Sequence, residues 1–204
     1  MILCDIGNSA LHFYNGKKIW HRTPQTLEPF DQPVHYISVN PSFEKALLEI
    51  CPRAHNLEPC VKLKSAYQGL GVDRKVACLG LGDDGVVVDA GSAISVDVME
   101  GGAHVGGVLL PGFRAYQQAF QSISGALDHP INVRVDLQSL PQSTAQALSF
   151  GTLKSVILLL QEIIADKRVV FTGGDGKFLS AFFQRGVYHK WLIFEGMQRA
   201  LAWN

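Results

Sequence analysis

Two short segments of this chain have nearly the same residue pattern, CDIGNSALHFY at 4–14 and VDAGSAISVDV at 88–98. In each, an aspartate is followed by one apolar residue, a glycine and an alternating apolar stretch. This pattern predicts a strand, a tight turn and a second strand, with a carboxylate at the bend. The two carboxylates, Asp5 and Asp89, are 84 positions apart in 204 residues. We therefore expect two related half-domains, each contributing one aspartate to a shared cleft.

The first half of the chain has the apolar runs and turn residues that are typical of a small α/β unit. Alternating or apolar runs predict strands at 1–6, 9–14 and 34–39. A helix is expected from an N-cap at Ser42 through Ile50, where a following proline ends it. The short run VKLK at 61–64 predicts one more strand.

The second half predicts the order β-β-β-α-α-β-α-β-α, beginning with a three-strand meander. A helix is expected over 141–165, broken near Gly151, and a strand over the apolar run WLIFEGM at 191–197, followed by a short helix at 197–203. This order resembles an RNase H-like domain, of which the first half is a trimmed version. With no Gly/Ser or Pro linker between them, the two halves are predicted as 1–84 and 85–204, giving an α/β fold of two mixed sheets flanked by helices.

Charge is balanced along the chain. There are 18 Lys and Arg against 18 Asp and Glu, with a sequence pI of about 7.0. Since nucleic-acid binders usually carry a positive patch, this composition disfavours direct binding to DNA or RNA. The start of the chain has no basic segment before its apolar run, and VILLL at 156–160 is far shorter than the roughly 20 apolar residues of a membrane span. We expect a cytoplasmic protein that does not enter a membrane.

The glycine turns predict contacts with phosphate. Backbone N–H groups in such turns can approach phosphate oxygens closely because no Cβ intervenes. Carboxylates repel phosphate and must hold it through Mg²⁺ or another cation. A third turn of this kind is Gly173-Gly174-Asp175, whereas the G-x-x-x-x-G-K-[ST] loop is missing from the sequence. The alternative for each Asp-x-Gly is an ordinary turn between two strands.

Five stretches together resemble the type III pantothenate kinases, in the superfamily of actin, acetate kinase and sugar kinases. They are DIGNS at 5–9, GVDR at 71–74, DAGSAISVD at 89–97, GAHVGGVLLPG at 102–112 and TGGD at 172–175. The resemblance implies that ATP and pantothenate give ADP and 4′-phosphopantothenate, the first step of coenzyme A biosynthesis, with Mg²⁺ as cofactor. It also implies that the ATP phosphates are bound by Ser92 and by the first turn, residues Asp5, Ile6, Gly7, Asn8, Ser9, Ala10, Leu11 and His12.

The same resemblance assigns the acceptor side of the reaction. Asp73 would take the proton of the pantothenate hydroxyl, and a carboxylate beside a cation is expected to be ionised. Gly71 and Val72 would contact pantothenate through the backbone. Arg74 would bind substrate or be only a salt-bridge partner, and Tyr67 would be a substrate contact or a core aromatic.

Further roles follow from the resemblance. Asp89 would bind a monovalent cation, K⁺ or NH₄⁺. Thr144 would reach the substrate across a homodimer interface, or be an ordinary helix N-cap. For His12 and His104, a hydrogen-bonded histidine on a strand is the simpler interpretation. Gly69 stands where the family often has proline, which weakens the match at the pantothenate pocket.

Two other functions stay open on the sequence. One is a different small-molecule kinase or phosphatase on the same duplicated fold, because a fold does not determine a substrate. The other is a non-catalytic regulatory relative. A homodimer is expected from the apolar helix face of Leu148, Phe150, Leu153 and Ile157, which a domain of this size would not bury by itself.

Overall fold

The computed structural model describes residues 1–202 and contains two five-stranded sheets flanked by helices. The strands are β1 Ile2–Ile6, β2 Leu11–Tyr14, β3 Ile19–Arg22, β4 Val34–Ser38, β5 His55–Asn56, β6 Gly85–Ala90, β7 Ala93–Glu100, β8 Ala103–Pro111, β9 Val169–Thr172 and β10 Gly186–Tyr188. The helices are α1 Pro41–Ile50, α2 Val72–Leu81, α3 Phe113–Ile123, α4 Thr144–Ile164, α5 Gly176–Ser180 and α6 Leu192–Ala202.

The chain forms two compact units. The first contains Met1–Asp84, Asp97–Gly106 and the segment that begins at Trp191. The second contains Gly85–Val96 and Gly107–Lys190. The chain thus passes between the units within β7 and within β8. The predicted division into two RNase H-like halves at Asp84 stays a prediction.

The two sheets have the same strand order. In the first sheet the order is β3-β2-β1-β4-β5, and β1 pairs antiparallel with β2 and parallel with β4. In the second sheet the order is β8-β7-β6-β9-β10, with β6 parallel to β9 and β9 parallel to β10. Asp5 and Asp89 are each the penultimate residue of the first strand of their sheet, β1 and β6. This repeated topology is the mixed-sheet α/β fold expected from the duplicated pattern.

The sheet of the first unit is buried on both faces. Alternate residues of β1 and β2 form a core cluster with α1 on one face, and Leu3 and Ile37 are buried on the other. The fully buried members include Cys4, Ile6, Leu11, Phe13 and Leu47.

Helix α2, which begins with the predicted catalytic segment, packs closely on α6. A Cβ at Gly80 would lie 2.2 Å from the Leu192 carbonyl oxygen, and one at Gly196 would lie 1.9 Å from that of Val76. Glycine at both positions therefore permits the two backbones to approach. The Arg199 Nη1 donates a 2.6 Å hydrogen bond to the Leu79 carbonyl oxygen near the end of α2, which fixes the helix at its C-terminal side.

Several local predictions were wrong. The N-cap of α1 is Asn40 rather than Ser42, because the Asn40 Oδ1 accepts hydrogen bonds from the backbone N–H groups of Ser42 and Phe43. Residues 61–64 are not a strand, and β5 lies at His55–Asn56 instead. Helix α4 continues through Gly151 without a break.

The last elements also differ from the prediction. The apolar run 191–197 is the beginning of α6, and the final strand is β10 at Gly186–Tyr188. The run is helical because Leu192 and Gly196 pack on α2, a tertiary contact that an apolar run alone does not encode. Residue 203, the end of the last predicted helix, lies outside the described residues.

Helix α4 is long and apolar. Its 21 residues would be sufficient to cross a membrane by length and composition, and 39% of its most apolar window is buried within the protein. Core helices of soluble proteins pass the same test, so this property does not by itself indicate a membrane. Its buried side includes Leu153, Val156, Ile157 and Leu160.

Candidate active site

The predicted nucleotide turn joins β1 and β2 in the first unit. Asp5 is half-buried and opposite His12 in the strand register, and the Gly7 N–H donates to the Ala10 carbonyl oxygen at 3.1 Å. Asn8 and Ser9 are exposed at the tip. Ile6 and Leu11 are fully buried, so only their backbone could face a nucleotide.

His12 has a perturbed pKa. Burial, and then the neighbouring His21, lower the pKa of its imidazole. A lowered pKa favours the neutral imidazole, which donates a hydrogen bond at one nitrogen and accepts one at the other.

The equivalent turn of the second unit joins β6 and β7. Asp89 pairs in register with Thr172 of β9, and the Ala90 carbonyl oxygen accepts a 2.9 Å hydrogen bond from the Asp175 N–H. A Cβ added at Gly173 would lie 2.4 Å from both Asp89 Oδ1 and the Ala90 carbonyl oxygen. Glycine at this position therefore permits the turn after β9 to approach the end of β6 closely. The Asp89 carboxylate is an oxygen donor of the kind that a hard cation takes, so its chemistry fits the expected monovalent ion.

Other predicted residues of the second unit are positioned as follows. Ser92 lies in the tight turn after β6, where its carbonyl oxygen accepts a hydrogen bond from Gly112 N–H at 3.2 Å. Thr144 is the first residue of α4 and is exposed. It is not the N-cap, because the Ser143 side chain fills that role by accepting from the Gln146 N–H. Thr144 is therefore available for contacts outside the unit.

The predicted acceptor-side residues lie together at the start of α2 in the first unit. Gly71 is the N-cap of α2, and Val72, Asp73 and Arg74 form its first turn. The Asp73 Oδ1 accepts a 2.8 Å hydrogen bond from the Arg74 backbone N–H. A Cβ on Gly71 would lie only 2.5 Å from that oxygen, so glycine leaves the space that the carboxylate occupies.

The pKa of Asp73 is raised rather than ordinary. Burial is the largest cause, while the hydrogen bond from the Arg74 N–H and the charge of Arg74 act in the opposite direction. The sequence led us to expect that the adjacent arginine would dominate. The arginine has less effect because its guanidinium is engaged elsewhere.

Arg74 is buried in an ion pair with Asp97. Its Nη2 donates to Asp97 Oδ1 at 2.7 Å, and its Nε lies 3.0 Å from Oδ2 and 3.1 Å from Oδ1. Burial would lower the pKa of Arg74, but the hydrogen bonds to Asp97 raise it, so the side chain is charged. Asp97 also contacts the Nε2 of His104 at 2.9 Å. This is a buried pair rather than the exposed pair that the sequence suggested as an alternative.

Tyr67 closes this cluster. Its ring lies 4.8 Å from the Arg74 guanidinium carbon and makes an edge contact with the His104 ring at 5.7 Å. Its backbone N–H donates to the Ser65 Oγ, which in turn lies 2.8 Å from His104 Nδ1. We call Ser65, Tyr67, Arg74, Asp97 and His104 the acceptor-side ring. Tyr67 is 37% exposed, so it is an exposed aromatic rather than a core one.

Sequence reasoning missed part of this ring. Asp97 ends the motif at 89–97 but received no role, and Ser65 was not considered. His104 was interpreted as a hydrogen-bonded strand histidine, which matches its two polar contacts. The sequence signal that could have identified Asp97 is a charged residue in the middle of an apolar strand, since a buried carboxylate needs a partner.

The fold defines the class of protein. A solved structure described as a "putative 2-dehydro-3-deoxygalactonokinase protein" from Sinorhizobium meliloti has a TM-score of 0.55 at 12% identity and covers 98% of this chain and 95% of its own. At that identity the likeness concerns the fold alone. The protein therefore has the fold of the actin-like ATPases and sugar kinases.

Sequence comparison identifies the family within that class. The sequence pattern of type III pantothenate kinase matches residues 16–166. The type III pantothenate kinase of Helicobacter hepaticus is 48% identical over 203 residues, 98% of each chain. A crystal structure described as a "conserved putative Baf family transcriptional activator" from Campylobacter jejuni is 41% identical, with a TM-score of 0.87 and coverage of 99% of this chain and 98% of that one. This chain belongs to the type III pantothenate kinase family.

Proposed function

We propose that this protein transfers the γ-phosphoryl group of ATP to the primary hydroxyl of pantothenate, the first step of coenzyme A biosynthesis. Family membership over the full chain supports the substrate. The observation that carries the mechanism is the half-buried Asp73 in the first turn of α2, directly before Arg74, whose guanidinium carbon lies 4.8 Å from the Tyr67 ring. Asp97, the other motif carboxylate beside Arg74, is fully buried and hydrogen-bonded to Arg74 and His104, so it does not face a substrate.

In the proposed reaction Asp73 is the general base. It accepts the hydroxyl proton as the alcohol oxygen forms a bond to the γ-phosphorus, and ADP leaves with the electron pair of the broken P–O bond. A base works best when its pKa lies near the working pH, so the raised pKa of Asp73 favours this role over that of a permanently ionised carboxylate. Arg74 and Tyr67 form the wall of the pantothenate pocket, and Gly71 and Val72 contact the substrate through the backbone.

The ATP phosphates are assigned to the turn after Asp5 in the first unit. Its N–H groups would approach phosphate oxygens, with Asn8, Ser9 and His12 as side-chain donors. Mg²⁺, when bound, neutralises charge on the phosphates, and Asp5 is the carboxylate of the first turn that would hold it. Asp89 would hold K⁺ or NH₄⁺ through its carboxylate, an oxygen donor that suits a hard cation.

We also place the protein in the cytoplasm as a homodimer. Leu153 and Ile157, which suggested an unburied face, are in fact buried within their own unit. The exposed apolar residues of that unit support the dimer instead; they include Leu109 at 57%, Leu158 at 54% and Ile123 at 71% exposed. Thr144 is exposed on the same unit and would contact pantothenate in the partner subunit.

A regulatory function is the alternative, because the similar Campylobacter jejuni structure carries a transcriptional-activator description. The equal numbers of acidic and basic residues do not favour DNA binding by this chain. The retained Asp5, Asp73 and Asp89 favour catalysis.

Coupled detection of ADP release separates these functions. The enzyme would be assayed with ATP, Mg²⁺ and pantothenate, with K⁺, NH₄⁺ or Na⁺ as the single monovalent cation, and with acetate or hexoses as alternative acceptors. We expect release with pantothenate, dependent on K⁺ or NH₄⁺. Release with a sugar or acetate instead would indicate another kinase of the superfamily, and release with none would favour the regulatory alternative.

A further inference from the structure

The hydrogen bonds of the acceptor-side ring have a consistent direction. Asp97 accepts from Arg74, and a carboxylate can only accept, so His104 Nε2–H donates to Asp97 Oδ1 across 2.9 Å. The His104 Nδ1 lies 2.8 Å from the Ser65 Oγ, and that oxygen accepts a 3.0 Å hydrogen bond from the Tyr67 N–H. Each polar group has a partner suited to its role, so the ring specifies one arrangement of Arg74 and Tyr67.

Burial makes this arrangement costly to disturb. Asp97 is fully buried, His104 is 3% exposed and Arg74 is 6% exposed. Removing one partner of a buried ion pair leaves an uncompensated charge, which costs far more than an exposed pair is worth. Tyr67 is the most exposed member of the ring, and Asp73, which precedes Arg74 in the chain, is half-buried; both are assigned to the acceptor pocket.

The same neighbourhood resembles a metal site in composition only. Cys78, Asp97 and His104 have their potential ligand atoms within 4.8 Å of one another. The positive guanidinium of Arg74 already occupies both Asp97 oxygens, and like charge would repel a metal ion there. Burial, followed by the charge of Asp97, raises the pKa of the Cys78 thiol to about 12, which disfavours the thiolate that a metal needs. A structural ion pair is therefore the better interpretation.

We propose that Asp97 and His104 are positioning residues for the phosphoryl acceptor: they hold Arg74, the residue after Asp73, and the Tyr67 ring that packs on it, and so determine affinity for pantothenate without touching it. This inference rests on the proposed function. It predicts an asymmetry between the two substrates: loss of a ring contact changes the KM for pantothenate more than the KM for ATP, because no member of the ring belongs to the nucleotide turn at 5–12. Losing a ring contact weakens the handling of pantothenate and leaves that of ATP nearly unchanged.

Paired substitutions at His104 test the asymmetry. His104→Leu replaces the imidazole by an apolar side chain of moderate size and removes both hydrogen bonds. In His104→Gln, the side-chain amide can still donate to Asp97. Hydrogen bonds to charged groups are individually strong, so we expect the KM for pantothenate to rise about 10- to 100-fold in His104→Leu. In His104→Gln, the rise in log KM for pantothenate should be no more than half of the rise in His104→Leu. In both variants the KM for ATP should stay within about twofold.

Two further variants complete the test. Asp97→Asn is expected to show the same asymmetry with a larger effect, and the His104 pair decides the matter if Asp97→Asn fails to fold. Tyr36→Phe is the matched control, because it removes a 2.8 Å hydrogen bond to Glu44 elsewhere in the same unit. It should lower Tm without changing the ratio of the two KM values. Equal rises in both KM values in His104→Leu would overturn the inference.

A spectroscopic readout separates this inference from the proposed function. In ¹⁵N-labelled protein, the Nε–H of Arg74 should exchange slowly with solvent and be assignable by its loss in Arg74→Lys. We expect the signal to be retained in His104→Gln and lost in His104→Leu. If the wild type fails to phosphorylate pantothenate but this pattern holds, the proposed function is wrong and the positioning role stands. Persistence of the signal in His104→Leu contradicts the positioning role whatever the substrate is.

Discussion

The position of the Asp73 carboxylate can be tested through a residue that does not react. Gly71 has φ −61° and ψ 149°, a backbone conformation that alanine also adopts readily. The substitution Gly71→Ala therefore introduces no backbone strain. Its only large consequence is a Cβ placed 2.5 Å from Asp73 Oδ1.

The magnitude follows from that distance. Ordinary contact begins near 3.4 Å, so the carboxylate must move by about 0.9 Å. A misplacement of about 1 Å in a reacting group costs on the order of 100-fold in rate, or about 2.7 kcal/mol in the barrier. Loss of glycine at an N-cap should lower the free energy of unfolding by less than about 1 kcal/mol, so the variant should fold.

Steady-state kinetics at 25 °C, with Tm measured in parallel, would check this expectation. We expect kcat of Gly71→Ala to fall about 100-fold while Tm falls by no more than about 4 °C. Gly125→Ala is the control, since nothing lies within 4 Å of its added Cβ. A kcat within threefold of the wild type in Gly71→Ala would refute the claim that the position of this carboxylate limits turnover.

Four other predictions concern the base, helix α4 and the oligomer. Asp73→Asn should leave the far-UV circular dichroism unchanged and lower kcat by about 10²–10⁴-fold, and near-wild-type turnover would remove Asp73 from the mechanism. Because burial raises the pKa of Asp73 and the base must be ionised, the acidic limb of the kcat/KM profile should have its midpoint above 3.8; a midpoint at or below 3.8 would assign the limb to another group. Gly151→Ala, with open space around the added Cβ, should stabilise α4 by about 0.5–1 kcal/mol and raise Tm by about 2–3 °C in calorimetry, whereas a lower Tm would mean that this surface is covered. Leu158→Lys should convert a dimer into a monomer in multi-angle light scattering at micromolar concentration, and a wild-type monomer would contradict the dimer itself.

The duplicated hairpins could be predicted from the sequence because their signal is local. Alternating apolar residues around an Asp-x-Gly turn specify a strand pair within about ten residues, and both pairs, β1–β2 and β6–β7, are present. The residues at the start of α2 could also be predicted, because Gly71 and Asp73 belong to one short motif.

The contacts that organise the site could not be predicted in the same way. Arg74 and Asp97 are 23 positions apart, and Ser65 and His104 are 39 apart, so their pairing depends on the assembled sheet rather than on spacing. The run 191–197 shows the same limit. Its apolar residues fit a strand as well as a helix, and it is helical because Gly196 packs on α2.

The central claim, that Asp73 activates a pantothenate hydroxyl for attack on ATP, is tested most directly by following the phosphoryl group. ATP labelled at the γ-phosphate would be incubated with pantothenate and either the wild type or Asp73→Asn, and the products separated and identified by mass. We expect label in 4′-phosphopantothenate with the wild type, formed at least about 100-fold more slowly by the variant. Label released only as inorganic phosphate, or equal transfer by both proteins, would contradict it.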